Sequence, residues 1–396
     1  LILFRGLQGL GAGGIQPIAW TIIGDIYPPS ERGKMQGWLS SVFGVSALAG
    51  PALGAFIVVH LRWSLVFWIN IPVGLAAMTM LLVLLDEPPS TGARRIDWLG
   101  AFLLMTGVGS ILIALVESQR FPAPLLAALG LLGGVALVAL VLLESRIAEP
   151  IVPYRLWRTS LIAIGNFGSL TIGIAMMCNG AYLPAYVQGA IGDGPMVAGM
   201  VLGASSVVWT VGTFLGARLM TRSSYRAASV TGSCIILVGT AISLAIEPHR
   251  GALFAAFAAS TLGLGMGFCN TTFIVAVQTA VGRGERGAIT AANLFMRTIG
   301  QSLGAALFGF VLSFGINRRV PGTGDAVNQL LQPGMRTSLP PALEERLRDA
   351  FAGAMHEAYL AMGLFALAIL IFSVSIPSGL SPIRTAVAAK PGAADD

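Results

Sequence analysis

Long apolar runs separated by short polar loops follow one another along almost the whole chain. Each run reaches the roughly 20 mostly apolar residues that a helix needs to cross a membrane. This rule predicts eleven transmembrane helices, near residues 1 to 26, 35 to 59, 64 to 85, 98 to 117, 123 to 143, 159 to 187, 196 to 221, 228 to 246, 252 to 281, 288 to 314 and 355 to 376. The pattern therefore predicts an all-α, polytopic membrane protein.

The loops between these helices alternate in charge. The short loops on one side carry only Arg62, Arg120 and Arg250. The loops on the other side carry twelve basic residues, namely Arg32, Lys34, Arg94, Arg95, Arg146, Arg155, Arg158, Arg218, Arg222, Arg226, Arg283 and Arg286. Short cytoplasmic loops are the ones enriched in Arg and Lys, which predicts that the second side is cytoplasmic. The loop at 315 to 353, with a short interfacial helix, then lies outside, and the tail at 377 to 396 inside.

Composition narrows the class of protein further. Only 11% of the 396 residues are charged and 55% are apolar, which is too little polar surface to cover a water-soluble globule. The net charge of +6 is scattered between apolar runs, so nucleic-acid binding is not expected. Cys178, Cys234 and Cys269 lie in apolar segments without metal-ligand spacing, so no metal or cofactor is expected. No catalytic constellation favours a membrane enzyme or sensor.

An internal repeat organises the chain. At an offset of 254 residues (263 minus 9), seven positions match: Gly9 with Gly263, Gly11 with Gly265, Gly13 with Gly267, Glu31 with Glu285, Arg32 with Arg286, Gly33 with Gly287, and Gly50 with Gly304. The copies fall in the first and ninth predicted helices and have the same orientation, as in parallel transporter repeats. The second copy is the fourth of six helices. If the halves are alike, three helices precede residue 1, and two extra helices join two six-helix halves, making fourteen.

Four motifs then occur in order. They are RGLQGLGAG with Arg5, Gln8, Gly9 and Gly11; SALAGPALGA with Gly50, Pro51 and Gly54; RWSLVFWINIPVG with Arg62 and Asn70; and IDWLGAFLL with Asp97 and Trp98. The set resembles the fourteen-span drug/proton antiporter branch of the major facilitator superfamily. In the second motif, Ser46 and Ala55 stand where the family pattern has glycine.

The resemblance implies a major facilitator fold with eleven of fourteen helices in this chain. Its predicted parts are 1–85, the remainder of an N-terminal bundle; 86–145, two inserted helices; 146–376, a C-terminal six-helix bundle; and 377–396, a tail. It implies export of a small amphipathic or drug-like compound in exchange for protons, in a bacterial inner membrane. Protons, the substrate, the lipid bilayer and a periplasmic adaptor protein are the partners considered. A metabolite importer and a truncated fragment that does not transport remain alternatives.

Arg297 is the main candidate for transport or coupling. It lies about 15 Å into its helix at about 1.5 Å per residue, near the membrane midplane, where a cation is costly and usually functional. Asn293 and Gln301 stand four residues before and after it, so the three form one polar stripe that faces a cavity or a partner helix. Arg5 and Gln8 are further candidates through their motif. An interhelical hydrogen bond is the structural alternative for Arg297.

Three other sets complete the candidates. Gly50, Pro51 and Gly54 permit a kink and close contact between the halves, or ordinary packing. A midplane cavity is predicted to use Asn166, Asn179, Asn270, Thr271 and Gln278. Charged residues at the cytoplasmic ends, either an ion-pair gate or a solvated loop, are Asp25, Glu31, Arg32, Glu285 and Arg286. A proton carrier needs a buried carboxylate, and none of the predicted spans has one at mid-membrane depth, which places the carrier upstream of residue 1.

Overall fold

In the computed structural model, the described residues are 2–62, 64–85, 97–117, 121–144, 147, 154–322 and 340–380. Every regular element in these ranges is helical. The helices are α1 Ile2–Ile26, α2 Pro29–His60, α3 Leu65–Trp68, α4 Asn70–Leu84, α5 Trp98–Val116, α6 Ala123–Glu144, α7 Tyr154–Trp157, α8 Ser160–Met177, α9 Leu183–Tyr186, α10 Pro195–Arg222, α11 Tyr225–Leu244, α12 Gly251–Thr279, α13 Arg283–Arg319 and α14 Pro341–Ser375.

Nine helical segments of the described residues are long and apolar enough to cross a membrane. They correspond to the predicted spans from the third onwards, with α3 and α4 together forming one of them. The first two predicted spans are also helical, as α1 and α2, but they are not among the nine. The chain is therefore a multi-pass, all-helical membrane protein.

The outer loop predicted at 315 to 353 is shorter than expected. Helix α13 continues to Arg319, and α14 begins at Pro341 and runs without interruption to Ser375. The residues predicted to form a separate interfacial helix are therefore the first turns of the last span. Arg318 and Arg319 of α13 both pair with Glu357 of α14 at 2.8 Å, which ties the extended ends of these helices together.

The C-terminal helices α8 and α10 to α14 form one bundle around a continuous apolar core. Their backbones approach closely at glycines. A Cβ at Gly267 of α12 would strike the Trp209 carbonyl of α10, and one at Gly265 would strike the Gly232 carbonyl of α11. In a bilayer, where helices do not associate through a hydrophobic driving force, such small-residue contacts supply the packing.

The N-terminal helices pack on this bundle in two places. Helix α2 lies along α10, and α1 lies against the first part of α13. Helices α5 and α6 pack on each other, and α5 touches α13. Helix α4 buries none of its residues within the described protein. Its exposed leucines and valines would be unfavourable in water, and lipid is the solvent that suits them.

Candidate functional site

A cavity of about 320 Å³ lies between the N-terminal helices and the C-terminal bundle. Helices α1 and α2 form one wall, and α8, α10, α12 and α13 form the other. Its polar lining residues are Gln16, Ser40, Asn179, Ser205, Ser206, Asn270, Arg297, Thr298 and Gln301. Its large apolar lining residues are Trp20, Phe43, Met176, Leu202, Trp209 and Met266. It is a mixed site, with hydrogen-bonding groups set among aromatic rings and thioethers.

Arg297 reaches this cavity from the middle of α13. Its Nη1 donates a hydrogen bond to Asn270 Oδ1 of α12 at 3.1 Å. Gln301, one turn further along α13, lines the same cavity, and among the described residues its amide nitrogen contacts the thioether of Met176, at 3.7 Å. The predicted polar stripe therefore faces the cavity at Arg297 and Gln301.

The backbone beneath Arg297 is fixed by glycines. A Cβ at Gly173 of α8 would overlap the Arg297 carbonyl, and a Cβ at Gly300 of α13 would overlap the Leu170 carbonyl. Gly304 makes a similar contact with Ile174, one turn further. Helices α8 and α13 thus touch backbone to backbone, which holds the Arg297 side chain at a fixed height in the cavity wall.

Asn179 enters the cavity from an irregular part of the first C-terminal helix. After α8, the chain forms two single π-helical turns, Cys178–Tyr182 and Val187–Ile191, on either side of α9. Such turns add a residue to the helix and are frequent at functional sites. Gly192 ends the second one with a φ of 95°, a conformation that favours glycine. Asn179 Nδ2 donates to Ser205 Oγ at 3.1 Å, which itself donates to the Ala259 carbonyl.

Asn293, the third residue of the stripe, lies outside the cavity. Its amide nitrogen donates to the Gly165 carbonyl, to Asn166 Oδ1 and to Ser169 Oγ at 2.9 to 3.1 Å. The three acceptors belong to α8, and the side chains involved are buried. Asn166, predicted to line the cavity, is therefore part of an α8–α13 packing contact, because its face of α8 is turned towards α13.

Replacing Asn293 with Leu is expected to destabilise the bundle by about 1–3 kcal/mol, because three buried acceptors lose their donor and each hydrogen bond between membrane helices is worth roughly 0.6–1.7 kcal/mol. The measurement is the midpoint of thermal unfolding of the purified protein. Asn317→Leu is the matched control, since Asn317 lies at the exposed end of the same helix. Equal midpoints for the two variants would contradict the buried network.

Gln278 lies beyond the cavity, on the side predicted to be cytoplasmic, rather than in its wall. Its Nε2 donates to the Trp20 carbonyl of α1 at 3.1 Å and to Thr290 Oγ1 at 3.2 Å, and its Oε1 accepts from Gln36 Nε2 of α2 at 3.3 Å. Gln36 and Gln278 are fully buried. The pair thus closes the space between the N-terminal helices and the C-terminal bundle.

One ion pair lies beyond this glutamine pair. Arg286 Nη1 of α13 contacts Asp25 Oδ1 of α1 at 2.6 Å and donates to the Gly24 carbonyl at 2.9 Å. Its Nε donates to the Gln278 carbonyl at 3.3 Å. Of the predicted gate residues, Asp25 and Arg286 are thus brought together across the two groups of helices. Glu31 and Glu285 are exposed, as the solvated-loop alternative expects.

Arg32 occupies the position in the first copy of the repeat that Arg286 occupies in the second. Its side chain is buried, its Nε donates to the Tyr27 carbonyl at 3.1 Å, and its Nη1 has no hydrogen-bond partner among the described residues. The residue that matches Asp25 in the second copy is Thr279 (25 plus 254), which carries no charge. Burial and the nearby charge of Arg286 lower the pKa of Arg32 to about 10. An arginine of one copy therefore pairs with an acidic residue of the other at Arg286 and Asp25, and the matching positions Arg32 and Thr279 cannot form the same ion pair.

Helix α2 approaches α10 closely on the same side. A Cβ at Gly33 would overlap Ala217, and one at Gly37 would overlap the ring of Phe214. Gly50 was predicted to make such a contact, but a Cβ there would meet no heavy atom within 4 Å. In this conformation the close contact therefore lies nearer the start of α2 than the predicted motif. The surroundings of Pro51 and Gly54 lie outside the described side chains.

Gln8 and Thr271 are not part of the cavity. Gln8 is exposed on α1, two turns before Gln16, and the side chain of Arg5 lies outside the described ones. Thr271 is buried in the bundle, because it follows the cavity-facing Asn270 and is rotated by about 100° around α12.

Several residues that line the cavity were not predicted from the sequence. On the C-terminal side these are Ser205, Ser206 and Trp209 of α10, and on the N-terminal side Gln16 and Trp20 of α1. Two pairs, Gln16 with Trp20 and Ser205 with Trp209, are spaced i and i+4. That spacing places each pair on one helix face. It is the feature of the sequence that could have indicated these lining residues.

The fold and the site define a polytopic helical membrane protein with a central cavity that is closed at one end. A family model described as Major Facilitator Superfamily matches residues 1–305. The chain belongs to this superfamily, which is a family of membrane transporters.

Two relatives from Bacillus subtilis (strain 168) are similar to it. "Multidrug resistance protein 3" is 27% identical over 378 residues, which are 91% of this chain and 74% of the relative. "Multidrug transporter protein MdtP" is 28% identical over 316 residues, which are 79% of this chain and 58% of the relative. The chain thus spans between about half and three quarters of the length of such relatives.

Among solved structures, the fold is similar to a bacterial homologue of the human lysosomal transporter Spinster in an inward-facing and occupied conformation. The TM-score is 0.51 at 15% identity, over 90% of this chain and 72% of that one. At this identity the likeness concerns the fold alone.

Proposed function

We propose that the protein exports a small amphipathic or drug-like compound across a bacterial inner membrane, in exchange for protons and by alternating access. The observation that carries the proposal is the mixed polar and aromatic cavity between two groups of helices, closed at one end by the Asp25–Arg286 pair. The two Bacillus relatives, whose names describe multidrug resistance and multidrug transport, support the export direction.

In this proposal the cytoplasmic end is the closed one. Between the described parts of α1 or α2 and the C-terminal bundle, the observed hydrogen bonds and ion pair lie at the level of the cavity or on the side of Arg286. The positive-inside pattern of the loops assigns that side to the cytoplasm. The conformation is then outward-facing, and export requires the Asp25–Arg286 and Gln36–Gln278 contacts to break when the protein turns inward.

The two-part architecture belongs to the same proposal. Residues 1–85 are the remainder of the N-terminal bundle and 146–376 are the C-terminal bundle. Residues 86–145 contribute two inserted helices. The separate packing of α5 on α6, with contact to α13, supports this division. Among the described residues, no Asp or Glu lines the cavity, so the proton carrier is assigned to a carboxylate elsewhere in the full-length protein.

The test measures accumulation of fluorescent compounds in cells that lack their main exporters. Cells expressing the full-length protein are expected to retain several-fold less of at least one compound from a panel of neutral, cationic and anionic dyes than cells with an empty vector. A protonophore should abolish the difference, because it removes the driving gradient. Higher retention in energised expressing cells would instead indicate an importer, and retention that expression does not change would refute export of the panel.

A further inference from the structure

We infer that the cavity binds an aromatic organic anion that also carries an N–H or O–H donor. This inference rests on the proposed function and narrows its substrate class. It depends on three features of the described residues: the charge of Arg297, the aromatic residues of the walls, and an unpaired oxygen of Asn179.

The cavity has a single sign of charge. Arg297 is the one ionisable side chain among its described lining residues, and these include no Asp or Glu. The hydrogen bond of Arg297 to Asn270 Oδ1, at 3.1 Å, is its only one within the described part of the chain. A neutral amide acceptor does not balance the charge of a partly buried guanidinium. A bound anion balances it, whereas a cation in the same cavity adds repulsion.

The geometry of the guanidinium also selects the anion. Its planar fork of N–H groups matches the two oxygens of a carboxylate or the oxygens of a sulfonate. Nη1 is already used by Asn270, which leaves the other N–H groups for a ligand. Gln301, one turn away, adds an amide group on the same side of the cavity.

Aromatic and thioether side chains surround this polar position. Trp209 of α10 and Met266 of α12 lie on the C-terminal wall, and Trp20 of α1 and Phe43 of α2 lie on the N-terminal wall. Flat rings and polarizable sulfur favour the faces and edges of an aromatic ligand. The volume of about 320 Å³ fits one small molecule and is at the lower end of the range for ligand pockets, about 300–1,000 Å³.

Asn179 supplies the remaining feature. Its side chain is 93% buried (7% exposed), and its Oδ1 has no hydrogen-bond partner in the described protein. The orientation of the amide is fixed, because Nδ2 donates to Ser205 Oγ while the Ser205 hydroxyl donates to the Ala259 carbonyl. A buried acceptor without a donor is unfavourable. A ligand hydroxyl or amine meets this need, so the preferred class is a hydroxy- or amino-substituted aromatic acid.

The test compares two dyes with the same xanthene ring system and opposite charge, the anion fluorescein and the cation rhodamine 123. Binding to the purified full-length protein is measured by fluorescence anisotropy, and proton-driven uptake by inside-out vesicles is measured separately. Fluorescein is expected to bind and to be transported. In Arg297→Gln its Kd should rise about tenfold to a hundredfold, because a charge-assisted hydrogen bond is lost. Arg297→Lys, which keeps the charge and loses the fork, should lie between the two.

The matched control is Arg318→Gln, which removes an exposed arginine from the outer end of the same helix. It should leave the fluorescein Kd unchanged. A second readout separates binding from folding. Without ligand, Arg297→Gln should unfold at the same temperature as the wild type or higher, because it removes a partly buried charge that has no anionic partner among the described residues, while the stabilisation by fluorescein should be lost. A lower midpoint without ligand, at an unchanged fluorescein Kd, would overturn the inference.

The two proposals fail in different ways. If rhodamine 123 is transported and fluorescein neither binds nor is transported, export stands and the anion inference is overturned. If fluorescein binds through Arg297 and no dye of the wider panel is transported, the inference stands and the proposed export of such compounds is refuted. Asn179→Leu gives an independent check at mildly acidic pH, where fluorescein is a carboxylate monoanion that keeps a phenolic O–H. The variant should weaken fluorescein binding there and leave binding of 1-naphthoate, an aromatic acid without a donor, unchanged.

Discussion

Replacing Asp25 with Arg is expected to open the end of the protein that we assign to the cytoplasm and to abolish the proposed coupled transport. Arg286 would lose its carboxylate partner at 2.6 Å, and a third cation would join Arg286 and the buried Arg32. Asp25 is one-third exposed and Arg286 is 12% exposed, so we expect a loss of about 1–3 kcal/mol, below the 3–5 kcal/mol for breaking a fully buried pair. A change of about 2 kcal/mol alters a two-state equilibrium roughly thirtyfold.

The opening can be measured with a cysteine in the cavity. In a background in which the exposed Cys234 is changed to Ser, Ser206→Cys is labelled in inside-out vesicles with a maleimide that cannot cross membranes. Labelling should be much faster in Asp25→Arg than in the parent, and the double exchange Asp25→Arg with Arg286→Asp should restore slow labelling. Glu31→Arg is the control, because Glu31 has the same charge but is exposed. Equal labelling rates in the parent and in Asp25→Arg would refute the gate.

Some parts of this site follow from the sequence because the signal is local. In α13, Asn293, Arg297 and Gln301 recur every four residues, and this spacing predicted a shared face. Arg297 and Gln301 do line the cavity, whereas Asn293 contacts α8. The repeat offset likewise singled out Arg286 and Arg32. The nine membrane-length helical segments of the described residues followed from apolar length, although the sequence did not indicate that α13 and α14 extend into the predicted outer loop.

Other parts depend on which helices are neighbours, and the sequence does not contain that information in a local form. Helix α12 is apolar on all sides, so no periodicity separates the cavity-facing Asn270 from the buried Thr271. The position of Gln278 along its helix suggested a cavity residue. Its hydrogen-bond partners are instead Gln36 and the Trp20 carbonyl, which are more than 240 residues away in the sequence (278 minus 36 is 242). The repeat treats Arg32 and Arg286 alike, and the ion pair of Arg286 with Asp25 follows from the tertiary contacts.

The largest loss of stability is expected from Gly300→Leu. A side chain at this position enters the backbone of α8 at Leu170, and carbonyl groups cannot move aside as a flexible side chain can. Overpacking of a core usually costs about 1–3 kcal/mol and occasionally more. Here the cost should exceed that range, because α13 must separate from α8 along the line that Gly173 and Gly304 also define. The separation displaces Arg297 and Gln301, on either side of position 300, so ligand binding should fail as well.

Two alanine variants test this expectation, because we expect the changes in their thermal midpoints to differ in sign. Gly300→Ala should lower the thermal midpoint of the purified protein, since even a methyl group meets the Leu170 carbonyl. Gly199→Ala should leave it unchanged or raise it, because a Cβ on Gly199 of α10 meets no heavy atom within 4 Å and alanine is favoured over glycine in a helix by about 0.5–1 kcal/mol. If both variants shift the midpoint in the same direction by similar amounts, the contact with Leu170 makes no specific contribution at position 300, and α8 and α13 are not packed backbone to backbone beneath Arg297.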